Sequence, residues 1–368
     1  MKKIVLIVCV AFLILLFGCL EQPIEQKETI KVGVMLPLTG DTAVYGESFS
    51  TALKLATEEI NASSGIDGRQ IELVIEDSKC DSIEGVKAIN SLVNLHGLKL
   101  IIAAECSGPS LSAAPIAEEA KVLYLVAIAS TPEIKNSGDY VFRIAPADDQ
   151  QGKDLAKLIF NKDYRNTAVL YVNNASGAGI AQLFIEEFSK RGGNVIEQKF
   201  NQTDSDFRTQ LSKIKETDAD SILVIAYSQH YPIIINQMYE LGINLPMFSS
   251  DTFKDKTIID SVGDLANGVI LTNFYESNSE KSVQFKNAYY EKYGKEYGPY
   301  GDYAYDAMYV LKEGIEQAGS FDPEILKESL YDLEYEGVTG LTKFDEFGEV
   351  YKPFGILIVE NSEFVNYK

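Results

Sequence analysis

Histidine occurs only at His96 and His230, and tryptophan does not occur in the 368 residues. Neither histidine belongs to an HExxH pair or to a Cys/His set with zinc spacing, so a metal site is not expected. GxSxG elbows, GxxxxGK[ST] loops and GxGxxG turns after a strand are also missing, and the GAG at 177–179 is too short to cradle a phosphate. With these absences, hydrolase, nucleotide-motor and dinucleotide chemistry lose their machinery. The chain is expected to be a binder and not an enzyme, with no cofactor. His96, in NLHGL, reads as a helix-end residue. Positive charge is scarce too. Lys and Arg number 33 against 54 Asp and Glu, for a net charge of −21. That balance repels nucleic acid and disfavours docking on anionic lipid by charge.

Only one long apolar run is present. MKK precedes Ile4–Phe17, 14 apolar residues that are short for a membrane span and right for a signal-peptide core. Leu16-Phe17-Gly18-Cys19 resembles a bacterial lipobox, in which cleavage before the cysteine lets its thiol carry diacylglycerol. Residues 1–18 are then a lipoprotein signal peptide, Cys19 the lipidation site and 19–29 a polar tether. An uncleaved anchor is the alternative, and both place the bulk of the chain outside the cytoplasmic membrane. Cys9 lies in the apolar run, so Cys80 and Cys106 remain as an even pair in an oxidising compartment.

What is present is an alternation. KVGVMLPL, IELVIEDS, LKLIIAAE and VLYLVAIAS read as buried strands, separated by the helical patterns SFSTALKLATEEINAS, IEGVKAINSLVNL and PSLSAAPIAEEAK. After YVFRIAPADD the pattern restarts and runs to GVILTNF near residue 274. Strand–helix alternation of this kind builds parallel sheets flanked by helices, and two series give two doubly wound α/β lobes. Two tyrosine-rich helices, the helix ILKESLYDLE and the strands LTKFD and GILIVEN follow. Eight of the 21 tyrosines cluster at 289–309, where half-buried packing is the simplest role.

Ligands of such sheets sit beyond the carboxyl ends of the strands. AAECSGPSLSAAP, residues 103–115, places Cys106, Ser107 and Ser110 where a strand meets a helix. By itself it could hold a nucleophile, a metal ligand, half of a disulfide or an anion cradle. AIASTPE puts Ser130 and Thr131 at another strand end. Hydroxyls beside a helix N-terminus suit a carboxylate. FSSD offers Asp251 as an acceptor for an ammonium group, and Tyr227 ends SILVIAY.

KVGVMLPLTGDTAVYG, INASSGIDGRQIELVIEDSKCD, CSGPSLSAAP, ASTPEI with FRIAPADDQQG, and QMYELGINLPMFSSD together resemble the type I periplasmic substrate-binding proteins of ABC transporters, most of all the leucine/isoleucine/valine-binding group. The resemblance covers about residues 30–365. It implies two Rossmann-like lobes joined by a three-strand hinge, with lobe one at 30–145 plus 274–351 and lobe two at 146–273 plus 352–368. Crossings are implied near Ile144–Ala147, Thr272–Tyr275 and Tyr351–Phe354. Tyr45 is implied to line the cleft and Ser107 to bind a ligand carboxylate. Ile128, Ala129 and Ser130 add a backbone group and a hydroxyl, Tyr227 closes from lobe two, Asp251 pairs with an α-ammonium, and Tyr300 meets the ligand side chain. Branched-chain members often carry Glu where this chain has Asp251, and SQHYP after Tyr227 departs from the pattern. The expected protein is a monomeric lipoprotein that hands a branched-chain or other apolar amino acid to an ABC permease with its cytoplasmic ATPase. Other readings are a binder of an amide, urea or aromatic acid, or a subunit presenting ligand to a separate sensor, since no signalling domain follows residue 368. Cys80 is expected to pair with Cys106, since adjacent parallel strand ends bring the two within reach.

Overall fold

The computed structural model describes residues 28–275 and 277–367. The apolar leader, Cys9, Cys19 and the tether as far as residue 27 lie outside the described residues. β1 (Ile30–Leu36), α1 (Ala43–Ala62), β2 (Ile71–Asp77), α2 (Ser82–Asn90), β3 (Leu100–Ala103), α3 (Ser107–Glu119), β4 (Leu123–Val126) and β5 (Val141–Arg143) open the chain. Their strands form a wholly parallel sheet in the order β2-β1-β3-β4-β5. β3 and β4 are buried at every position, which is why they read as unbroken apolar runs and not as alternating ones. β5 adds a fifth strand to the four expected. Its three residues are too few to show a pattern, and only pairing with β4 defines it.

α4 (Asp148–Asn161), β6 (Asn166–Val172), α5 (Ala175–Lys190), β7 (Asn194–Phe200), α6 (Arg208–Lys215), β8 (Ser221–Ile225), α7 (Tyr231–Glu240), β9 (Met247–Ser249), α8 (Lys256–Val262) and β10 (Ile270–Phe274) repeat the plan. The chain then returns to the first sheet with α9 (Glu280–Tyr293), α10 (Gly301–Ala318), α11 (Pro323–Tyr331) and the hairpin of β11 (Glu334–Gly337) with β12 (Gly340–Lys343). α10 packs along α1, and both α10 and α11 reach β4. Many of the clustered tyrosines are aromatic core here, with Phe285 against Tyr305 at 4.5 Å and against Tyr297 at 5.0 Å between ring centres.

β13 (Phe354–Glu360) and β14 (Glu363–Asn366) come back antiparallel beside β10, giving the order β14-β13-β10-β9-β8-β6-β7. The chain therefore passes between the sheets three times, after β5, after β10 and before β13. In the last two passages Phe274 and Phe354 face each other in register. The architecture is the expected pair of doubly wound α/β lobes. β11 and β14 were not expected, being short polar-apolar segments that become strands only by pairing with a neighbour. LTKFD contributes to β12, in a separate hairpin and not in either large sheet.

α3 starts at Ser107, two residues before the expected start at Pro109, and runs through Pro115. Pro115 removes one N–H from the helix interior. Cys106 precedes the helix in extended backbone, and its sulfur is bonded to Cys80 with the Cα atoms 5.3 Å apart. The expected pairing forms, but the strands it follows are not adjacent: the disulfide joins the segment after β2 to the segment after β3 across the end of β1, which lies between them.

Candidate ligand site between the two sheets

Each sheet presents the carboxyl ends of its parallel strands to the other. From the first come Tyr45 in the opening turn of α1, Ser107 at the start of α3, and Ile128, Ala129 and Ser130 beyond β4. From the second come Tyr227 after β8 and Asp251 after β9. Tyr300 precedes α10. All eight residues line one cavity, together with Phe49, Ser176, Thr252 and Phe274. Phe49 was missed although it lies four residues from Tyr45 and so shares its helix face. Ser176 and Thr252 carry no signal of their own.

The first-sheet wall suits an anion. Cys106 makes no side-chain capping bond, so the first N–H groups of α3 are left for a ligand at the positive end of a 13-residue helix. Behind Ser130, Arg143 is fully buried and donates from Nη1 to the carbonyls of Thr131 at 2.6 Å and Ala129 at 3.3 Å. Its remaining nitrogens bond Glu349. An interior guanidinium thus fixes the backbone on both sides of Ser130.

The second-sheet wall suits a cation. Asp251 is buried, accepting from Gln151 Nε2 at Oδ1 (2.5 Å) and from the Tyr300 hydroxyl at Oδ2 (2.5 Å). Burial raises its pKa and those two bonds oppose the rise. Neighbouring Asp148, at the start of α4, is pushed up to about 8, first by burial and then by the negative charge of Asp251. Gln151 lies 100 residues from Asp251, and no spacing rule links the two.

Hydrogen bonds already cross between the sheets. Tyr45 Oη lies 2.9 Å from Ser228 Oγ and accepts from the Ser228 N–H at 3.1 Å. The Tyr300–Asp251 bond is another, and the Asp148 N–H donates to Ser130 O at 2.8 Å. Tyr227 accepts from Asn174 Nδ2 at 3.1 Å, and burial pushes its hydroxyl up to about 12. The cavity leaves about 50 Å³ for the centres of water-sized molecules, room for roughly three to five waters.

Neither histidine lines the cavity. His96 closes a π-turn with its N–H on Ser91 O, its exposed ring 3.9 Å from Glu76. His230 is buried. Its Nδ1 accepts from the Tyr227 N–H and its Nε2 lies 2.8 Å from Gln202 O, so the proton sits on Nε2. Burial lowers its pKa and keeps it neutral. Among the described residues no group of three or more His, Cys, Asp or Glu is arranged to hold a metal, and no helix is long and apolar enough to cross a membrane.

Comparison with known proteins agrees with this architecture. The family model described as periplasmic binding protein matches residues 29–362. The leucine-, isoleucine-, valine-, threonine- and alanine-binding protein of Pseudomonas aeruginosa is 30% identical over 338 residues, covering 90% of each chain. A leucine-binding protein of Thermotoga maritima superposes with a TM-score of 0.87 at 28% identity, over 92% of this chain and 98% of that one. A branched-chain amino acid transporter substrate-binding protein of Streptococcus pneumoniae, solved with isoleucine, gives 0.84 at 27% identity over 91% and 97%. The chain therefore belongs to the periplasmic binding protein family, in its leucine/isoleucine/valine-binding group of type I substrate-binding proteins of ABC transporters.

Proposed function

We propose that this protein captures a zwitterionic amino acid with a branched-chain or other apolar side chain and delivers it to an ABC permease. The observation that carries the reading is the split of charge preference between the walls. An uncapped helix N-terminus with Ser107 and Ser130 faces Asp251 across one cavity. In this reading the ligand carboxylate accepts from the Ser107 hydroxyl and the α3 N–H groups, and Ser130 adds a second hydroxyl. The ammonium donates to Asp251, whose two oxygens keep lone pairs free beyond those used by Gln151 and Tyr300. Only the closed arrangement meets both ends of the ligand, so binding biases the hinge toward closure. The moving bodies are 30–145 plus 274–351 and 146–273 plus 352–368. Lipid on Cys19 tethers the protein to the outer face of the membrane.

Calorimetry against a panel of amino acids tests the ligand class, and absence of binding by every member sinks it. Asp251→Ala is expected to weaken binding by about 2–5 kcal/mol, the cost of leaving a buried ammonium unpaired. An unchanged affinity refutes the ammonium partner and favours an amide, urea or aromatic acid. Mass spectrometry of membrane-extracted protein checks the lipid on Cys19.

A further inference from the structure

One member of the first-sheet wall is itself an acid. Glu105 lines the cavity between β3 and Ser107, and the residue is fully buried. Its Oε1 accepts from the Tyr124 hydroxyl at 3.3 Å and from Ser110 Oγ at 3.5 Å, while Oε2 has no hydrogen-bond partner. Ser110 belongs to the first turn of α3. The carboxyl therefore lies against the same helix end that is offered to the ligand's carboxylate. Binding one carboxylate at this wall does not call for a second beside it.

The surroundings of Glu105 favour its neutral form. β4 presents the Tyr124 hydroxyl, which also meets the Met35 sulfur of β1 at 3.8 Å. The segment after β2 presents Ser78, and α3 presents Ser110. Among the described residues Tyr124 is the one titratable group facing Glu105, and burial and the charge of Glu105 raise its hydroxyl. Arg143, the cation behind this wall, is committed to Glu349 and to the carbonyls of Ala129 and Thr131. An interior carboxylate without a cation is strongly disfavoured. Burial accordingly pushes Glu105 up to about 8 against the opposing hydroxyl bonds. The main compensation open to an ionised Glu105 is the positive end of α3, which is the feature the ligand's carboxylate needs.

We propose that Glu105 competes with the ligand's carboxylate for the positive end of α3, and that the site takes its ligand only while Glu105 is neutral. This rests on the amino-acid reading of the cavity. Glu105 is a positioning residue, and contact with the ligand is not required, since its charge acts across the first turn of α3. With Glu105 neutral, Ser107 and the α3 N–H groups are left to the ligand. With Glu105 ionised, two carboxylates share one helix end, and like charges at one site cannot both be accommodated. A bound carboxylate therefore holds the proton on Glu105. Where the free protein has lost that proton, capture takes one up from solvent.

The test is calorimetry with leucine, valine and alanine on the wild-type chain, on Glu105→Gln and on Glu105→Leu, at pH 6.5 and pH 9 and in buffers of different ionisation enthalpy. Loss of the ligand's own ammonium proton is common to all three proteins. So is any response of Asp148, which stands beside Asp251 on the opposite wall. Only the difference between wild type and variants is read. Between the two pH values wild type is expected to lose about fivefold or more affinity beyond the loss in either variant, and near pH 8.5 to take up about half a proton more per ligand. Equal pH dependence and equal proton numbers, or a larger fall in the variants, overturn the competition and leave the amino-acid reading standing. Absence of binding by all three ligands at pH 6.5 overturns that reading and this inference with it. Urea midpoints matching wild type at pH 6.5 show which variant is folded, and either variant suffices.

Discussion

Arg143 offers a direct test of how an interior ion pair serves the ligand wall. It is fully buried and Glu349 is 8% exposed, so removing either partner strands a charge. Arg143→Met leaves Glu349 unpaired, at a cost of about 3–5 kcal/mol. It also takes the donor from the carbonyls of Ala129 and Thr131, at about 1–3 kcal/mol for each group left unmet. Arg143→Met with Glu349→Leu deletes the stranded charge and keeps only the carbonyl loss. The double variant is therefore expected to recover about 2 kcal/mol or more of what the single variant lost. Ligand affinity is expected to stay low in both, because the backbone around Ser130 is no longer held. Burial raises the Glu349 pKa while Arg143 opposes the rise, so deleting Arg143 lifts it further. A raised acid favours folding below its unfolded pKa and loses that stability as pH rises through its folded pKa. The deficit of the single variant should accordingly shrink as pH falls toward 5, and that of the double variant should not. Urea unfolding followed by far-ultraviolet circular dichroism at several pH values reads stability, and calorimetry reads affinity. A double variant as unstable as the single one, or one with wild-type affinity, refutes the reasoning.

Other consequences follow from named contacts. Cys80→Ser with Cys106→Ser opens a loop of sequence separation 26, expected to cost roughly 3.5 kcal/mol in the chain-entropy model; an unchanged urea midpoint argues against it. Gly46→Ala puts a Cβ 2.2 Å from the Pro37 carbonyl oxygen. Backbone must move to admit it, so about 1–3 kcal/mol of stability and some ligand affinity should be lost together as Tyr45 shifts. Burial pushes Glu105 and Asp148 up to about 8, well above the roughly 4 of the unfolded chain. Their contribution is complete below about pH 4 and fades as pH rises toward 8. The unfolding midpoint should fall between pH 5 and 9, and Glu105→Gln should flatten the fall; a midpoint rising over that range contradicts the assignment.

Much of the fold is written locally. Buried runs such as LIIA and LYLV, set off by helices with apolar stripes, specify parallel strands because nothing else buries both faces of so short a segment. The doubling of that series predicts two sheets. The chemistry of the ligand walls is local as well, since serines and an aspartate at strand ends need only the rule that loops at carboxyl ends converge. Long-range pairing decided the rest. β13 could have joined either sheet, and its register with β10, Phe274 against Phe354, chooses the second. β5, β11 and β14 are too short to declare themselves. Gln151 reaches Asp251 across 100 residues and Glu349 reaches Arg143 across 206. No spacing rule in the sequence connects such pairs. By itself the sequence determined the layers, the disulfide partners and the kinds of group offered to a ligand. Only the tertiary structure decided which groups share one cavity and which carboxylates are held by buried partners, because these depend on distances that folding creates between segments far apart in the chain.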